Sequence, residues 1–215
     1  MMRHCTAVLS ILAAFLLCAL PLSAQEYPGE QNITATIDYI EDAAGALTYE
    51  IISKPQESRW KKIGGPATHF GFSRSVFWLR IDGATFSKTA YLVFAWKALD
   101  TVELFLPGGK RLIAGDAFPK AEWSLPETHF PAFRLEAAEN PQGIYYVRLE
   151  STSVKNFPIL LKTEETYLRD LKRELTIIVI YSTITVILIA FAFFLFGFAR
   201  DINFVLYIGY LLSIA

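Results

Sequence analysis

The sequence has almost no cysteine. Two occur in 215 residues, Cys5 and Cys18, and both lie among the first 24. A chain cleaved after Ala24 carries none, which excludes disulfides, thiolate nucleophiles and cysteine metal sites together. Histidine is nearly as scarce. Beyond the leader only His69 and His129 occur, with no metal-ligand spacing around them. No Gly-rich phosphate loop is present, and Gly64-Gly65-Pro66 reads as a turn. Lys+Arg and Asp+Glu nearly balance at 20 and 21, so no nucleic-acid face is indicated. Asp100 and Glu103 lie three apart at a strand entry, without the sign of two carboxyls flanking a scissile bond. Asp116, after Gly115, reads as a turn residue. No cofactor motif is found, and no catalytic activity is expected within these residues.

Charge is also sparse, at 19% against roughly 25% in soluble domains. The deficit is local. Residues 25–170 hold 16 Lys+Arg and 19 Asp+Glu, which is ordinary for a water-soluble domain. The missing charge is missing at the ends. Residues 1–24 read as a signal peptide: Arg3 in the n-region, an apolar run from Ala7 to Leu20, then Pro21 and the small residues Ser23 and Ala24. An uncleaved anchor is the alternative, but that run is short for a hydrocarbon core of about 30 Å. Residues 176–198, from Thr176 to Phe198, carry no charge and are rich in Ile, Val, Leu and Phe, as a transmembrane helix requires. The hydroxyls of Thr176, Ser182, Thr183 and Thr185 can bond back to helix carbonyls. After Arg200 and Asp201, residues 202–215 are apolar again and read as the start of a second transmembrane helix in a longer multi-span protein. An interfacial hairpin arm is the other reading. Export by the leader places residues 25–170 outside, although Arg169, Lys172 and Arg173 crowd the outer end of the span against the positive-inside tendency.

Between leader and span, short apolar runs alternate with turn chemistry. Ile33–Ile40, Leu47–Ile52, Val76–Ile81, Tyr91–Trp96, Val102–Leu106, Phe130–Leu135, Ile144–Glu150 and Pro158–Lys162 read as strands. Pro107-Gly108-Gly109 and Glu139-Asn140-Pro141-Gln142-Gly143 read as turns. Residues 164–175 form a charged juxtamembrane segment. About eight short strands predict an all-β ectodomain, a jelly-roll-like antiparallel β-sandwich, followed by a transmembrane α-helix.

One pattern occurs twice. Phe77-Trp78-Leu79-Arg80-Ile81 and Tyr145-Tyr146-Val147-Arg148-Leu149 both read aromatic, aromatic, aliphatic, Arg, aliphatic. Strand alternation puts Phe77, Leu79 and Ile81 on one face, and Tyr145, Val147 and Leu149 likewise. Trp78 and Arg80, and Tyr146 and Arg148, point the other way. Aromatic planes beside guanidinium groups suit a polar ligand such as a sugar or carboxylate. Trp78, Arg80, Tyr146, Arg148, Asp100 and Glu103 are therefore the candidate ligand residues. The competing reading is that each Arg pairs with an acid, Asp100 or Glu103, and stacks for stability alone, the usual need of a half-buried Arg. Trp60, among Arg59, Lys61 and Lys62, and Trp123, between Glu122 and Ser124, are either stacking platforms or core. Asn32-Ile33-Thr34 fits a glycosylation pattern of little specificity.

The order of parts resembles the bacterial family of seven-transmembrane receptors with diverse intracellular signalling modules, in the version with extracellular domain type 2. The resemblance rests on Tyr39-Ile40-Glu41-Asp42, Phe77-Trp78-Leu79-Arg80, Leu99-Asp100-Thr101-Val102-Glu103-Leu104, Gly115-Asp116, Tyr145-Tyr146-Val147-Arg148, and Arg200-Asp201-Ile202-Asn203-Phe204-Val205-Leu206-Tyr207. It implies a jelly roll like those of carbohydrate-binding modules, a carbohydrate-like ligand, further helices, and a cytoplasmic output domain beyond residue 215. The partners expected are the lipid bilayer of the inner membrane, a small ligand and a second copy of the chain. The rival expectations are an assembly module without a small ligand and a membrane-anchored glycoside-active enzyme.

Overall fold

The computed structural model describes residues 28–54, 59–85, 89–136 and 143–214. The expected leader, with both cysteines, lies outside them, as does the expected Glu139–Gly143 turn apart from Gly143.

Among the described residues ten strands form two antiparallel sheets. One has the order β1 (Glu30–Asn32), β10 (Ile159–Thr163), β5 (Ala90–Phe94), β8 (Ala132–Leu135). The other has the order β3 (Lys61–Lys62), β2 (Asp38–Asp42), β4 (Val76–Asp82), β9 (Ile144–Glu150), β6 (Thr101–Phe105), β7 (Arg111–Ala114). Setting β2 and β3 aside, the pairs are nested: β1 with β10, β4 with β9, β5 with β8, and β6 with β7. One long hairpin is rolled into two layers, which is the jelly-roll wrap.

The main core lies between the sheets. Phe77, Leu79 and Ile81 of β4 meet Leu92 and Phe94 of β5, and Tyr145, Val147 and Leu149 of β9 join them. These are the alternate positions that strand periodicity selects. The β6–β7 hairpin turns at Pro107-Gly108-Gly109, where both glycines have positive φ. After β7, Gly115 slips beneath the entry to β6. A Cβ there would meet the Asp100 carbonyl oxygen at 2.5 Å, at a φ of +117°, so only glycine fits.

Two expected strands differ. Ile33–Ile40 is broken, because the chain changes sheets there. Asn32 Oδ1 accepts from the Thr34 amide at 3.0 Å and from its hydroxyl at 2.7 Å, making a local turn that ends β1. Asn32 Nδ2 also donates to Pro66 O, so the glycosylation-like triplet is a structural element. Leu47–Ile52 is not a strand. The Leu47 amide donates to Asp42 Oδ2 at 2.7 Å, and Tyr49–Ile52 forms one helical turn. Its apolar side chains cover a sheet face instead of joining a ladder. β3 and β7 are short additions at one sheet's two edges.

The juxtamembrane segment and the apolar span are one helix, Glu164–Ala199, 36 residues and about 54 Å long. It starts directly after β10. Thr163 caps it, accepting from the Thr166 amide, and Glu164 and Glu165 suit the positive end of the helix dipole. The first turns lie on the outer face of the four-stranded sheet and run back past β5, so that Glu174 reaches Lys97, 3.5 Å away. The helix then leaves the sandwich. The hydroxyls of Thr176, Thr183 and Thr185 bond to carbonyls four residues back. Arg200 closes the helix in the left-handed region, and Asp201 Oδ1 accepts from the Asn203 amide to open a second helix, Ile202–Ile214. Ala192 on the first and Ile208 and Leu211 on the second are buried.

Candidate functional site

The outer face of the six-stranded sheet carries most of the residues singled out by sequence. Register sets them in two rows. Asp38, Arg80, Tyr146, Phe105 and Arg111 are neighbours across β2, β4, β9, β6 and β7. In the next row stand Ile40, Trp78, Arg148, Glu103 and Ile113. Each row mixes rings with charged groups because each strand contributes one residue at that level.

The charges are paired within the face. Arg80 donates to Asp38 at 2.6 Å. Glu103 is shared: Arg111 donates to one of its oxygens at 2.9 Å and Arg148 to the other at 3.3 Å. Arg148 also reaches Glu150 at 2.6 Å. Pairing with Glu103 is thus realised for Arg148, while Arg80 takes Asp38, an acid on the strand beside it. The rings interlock between the ion pairs. Tyr49 stacks on Phe105 at 4.9 Å, Trp60 tilts against Tyr146 at 6.1 Å, and the Arg80 guanidinium lies 4.8 Å from the Trp60 ring centre.

This face has a lid. Tyr49 and Ile52 from the one-turn helix, with Leu47 just before it and Trp60, pack over Trp78 and Tyr146. Trp78 is 1% exposed and Tyr146 7%. Burial pushes the Tyr146 hydroxyl above its ordinary pKa, against the opposing pull of Arg80, so it stays neutral. The Trp78 indole N–H is the feature that packing leaves unresolved. Among the described residues it is the buried side-chain polar atom without a hydrogen-bond partner. Such a group costs about 1–3 kcal/mol.

Asp100 does not join this face. Its carboxylate accepts from the amide and hydroxyl of Thr152, at 2.7 and 2.8 Å, and ties two loops at the end of the sandwich. Trp123 lies in the main core, with its indole N–H donated to Phe118 O at 3.2 Å. Trp60 is the loop tryptophan that reaches the candidate face. Sequence reading missed Asp38, Phe105, Arg111 and Tyr49. The first three share strand parity with Ile40, Glu103 and Ile113, a signal visible only once the pairing of strands is known.

The opposite outer face, on the four-stranded sheet, is a mechanical joint. Tyr167 of the long helix stacks on Tyr91 of β5 at 4.0 Å, with rings 9° from parallel. Its hydroxyl donates to Glu127 at 3.3 Å, and burial followed by that carboxylate pushes its pKa well up. Lys162 at the end of β10 sits between Asp170 at 2.6 Å and Glu30 at 3.0 Å. The Thr166 hydroxyl donates to Pro28 O at 3.1 Å. One turn of helix is thereby bolted to β1, β5 and β10.

A two-layer domain whose last strand runs directly into an apolar helix now has a sequence counterpart. The sequence model described as 7TMR-DISM extracellular 2 matches residues 34–163. The chain belongs to this family. The match closes at Thr163, the residue that caps the long helix. As a 7TMR-DISM extracellular domain, the sandwich is the extracellular part of a membrane receptor rather than a catalytic unit. Among the described residues one helix is long and apolar enough to cross a membrane. No curated protein matches the chain significantly.

Proposed function

We propose that the chain is the ligand-sensing, extracytoplasmic front end of a bacterial inner-membrane receptor with several spans, and that its ligand is carbohydrate-like. The binding face is the outer surface of the six-stranded sheet, and its residues are Trp78, Arg80, Tyr146, Arg148 and Glu103, joined by Trp60. Asp100 contributes through its loop tie rather than by contact. The observation that carries this reading is the unpartnered Trp78 N–H inside an aromatic cluster flanked by ion pairs. A sugar hydroxyl satisfies an indole N–H, rings stack on its apolar face, and guanidinium–carboxylate pairs offer donors and acceptors at the rim. Entry requires the one-turn helix and Trp60 to lift. Binding therefore favours a state with the lid displaced, and it shifts the receptor only through its different affinity for the two states.

The test uses the full chain in lipid nanodiscs and a panel of mono- and oligosaccharides. At least one sugar raises the thermal transition of the wild type and not that of Trp78→Phe. A panel without effect removes the reading. The closed ion pairs favour a second reading, an assembly module that needs no small ligand. Under it the chain forms a dimer that no sugar perturbs.

A further inference from the structure

Ligand-face residues aside, the sandwich carries two exposed aromatics among its described residues. Phe72 is 82% exposed and Trp96 40%. Neither packs in a core cluster, and exposure of large rings to water is unfavourable. Both stand at the end of the sandwich where the long helix leaves it.

Their backbones are held by one stretch of chain, the approach to β10. The Lys155 amide donates to Gly71 O at 3.0 Å, and the Ala95 amide donates to Pro158 O at 3.2 Å. Lys155 also fixes the far side of Phe72. Its ammonium is fully buried and donates to the carbonyls of Ser73 and Ser151. The Phe72 loop is thus gripped before and after the ring. On the Trp96 loop, Lys97 meets Glu174 of the helix at 3.5 Å, and His129 lies 4.0 Å from the same carboxylate.

Glu174 is the last charged residue before Arg200. The helix therefore has no stem: its contact with the Trp96 loop is immediately followed by the apolar stretch. Leu175–Ala199 is about 37 Å long at 1.5 Å per residue, while a hydrocarbon core is about 30 Å and each headgroup layer about 5–7 Å thick. The surplus length is taken up by tilt or by the headgroup layer. Either way, nothing holds the Trp96 loop away from the bilayer.

We propose that the helix-exit end of the sandwich rests in the lipid headgroup layer, with Phe72 and Trp96 as interfacial anchors. Aromatic rings favour this depth. Arg74, Lys97, Lys120, Lys172 and Arg173 at this end are offset by Asp100, Asp116, Glu122, Glu127 and Glu174, so the contact is driven by the rings. Zwitterionic lipid suffices. The anchors set the tilt of the sandwich on the membrane and give the helix joint a fixed reference. The proposal assumes that the long helix spans the bilayer, which flotation of the chain with liposomes tests by itself.

The decisive measurement is tryptophan emission from the full chain in phosphatidylcholine vesicles, some carrying a spin label on the choline headgroup. The label quenches part of the wild-type emission, and Trp96→Phe loses that quenchable part. Phe72→Trp, made on the Trp96→Phe background, regains it. Trp60, Trp78 and Trp123, which are packed into the domain, stay bright. Adding anionic lipid changes little. The proposal is overturned if, in vesicles that float with the protein and with an unchanged thermal transition, the label leaves the Phe72→Trp emission intact. That holds whether aqueous iodide reaches the ring, meaning open water, or does not, meaning a protein surface covers it.

Discussion

The two outer faces of the sandwich are both covered, but by covers of different kinds. On the six-stranded sheet the cover is one turn of helix and a tryptophan, laid over a mixture of rings and ion pairs that leaves an indole N–H unsatisfied. On the four-stranded sheet it is the start of the long apolar helix, seated by a stacked tyrosine pair and a lysine between two carboxylates. The first cover is small and its underside is imperfectly matched. The second is continuous with a 36-residue helix and closely matched. A domain built this way can yield on one side while holding on the other, which is what a sensor needs to convert binding into displacement of a helix.

The sharpest break in this comparison is Tyr167→Ala. It removes a buried ring from the joint, and such truncations cost about 3 kcal/mol. Hydrogen exchange should quicken in Ala90–Phe94 and in the first helical turns, and the sandwich core should keep its protection. Tyr49→Ala on the other face costs about 1 kcal/mol, because it loses a half-exposed stack. Equal losses for the two would mean that the covers are equally tight.

Glu103→Gln comes next. It weakens the acceptor shared by Arg111 and Arg148, and a thermal melt should report about 1–2 kcal/mol, reduced by the exposure of Arg111. The four-stranded face should not notice.

Alkali separates the faces from the other direction. Burial and Glu127 raise the pKa of Tyr167; burial lowers that of Lys162, but Asp170 and Glu30 raise it overall. Both groups bind their protons more tightly when docked. Docking is therefore at full strength below about pH 10 and weakens as pH climbs through the raised values. Exchange protection of the helix start should fall in that range. A joint that loosened first in mild acid would contradict this.

Trp78→Phe has the smallest effect on the fold. Deleting an unsatisfied N–H offsets the lost ring area, so stability should change by less than about 1 kcal/mol. Under the proposed function the sugar response should vanish nonetheless. A large destabilisation would show that the indole N–H has a partner after all.

Much of this fold was legible in the sequence because strand parity is local. Phe77, Leu79, Ile81, Tyr145, Val147 and Leu149 declare their inner face by alternation alone. The uncharged run after Glu174 announces its helix by composition. What could not be read depends on pairing between distant segments. Asp38 becomes the partner of Arg80 only because β2 lies beside β4, and Asp100 leaves the candidate face because it sits one residue before β6 begins. Leu47–Ile52 has strand composition, yet no ladder is open to it, so its apolar residues close a lid instead. Lys155 carries no sign of burial in its own sequence neighbourhood, yet it is wholly buried, holding carbonyls from two loops.

The nested pairing of the strands also constrains how the molecule comes into being. β1 waits for β10, and contacts such as Thr34 with Ile159 join residues 125 apart. Closure of such remote pairs is slow. During synthesis the last strand emerges only just ahead of the long helix. Emergence of that apolar helix and completion of the four-stranded sheet therefore fall in the same interval. A receptor whose sheet failed to close would be left tethered, with the unpaired edges of β1 and β10 open to a neighbouring molecule.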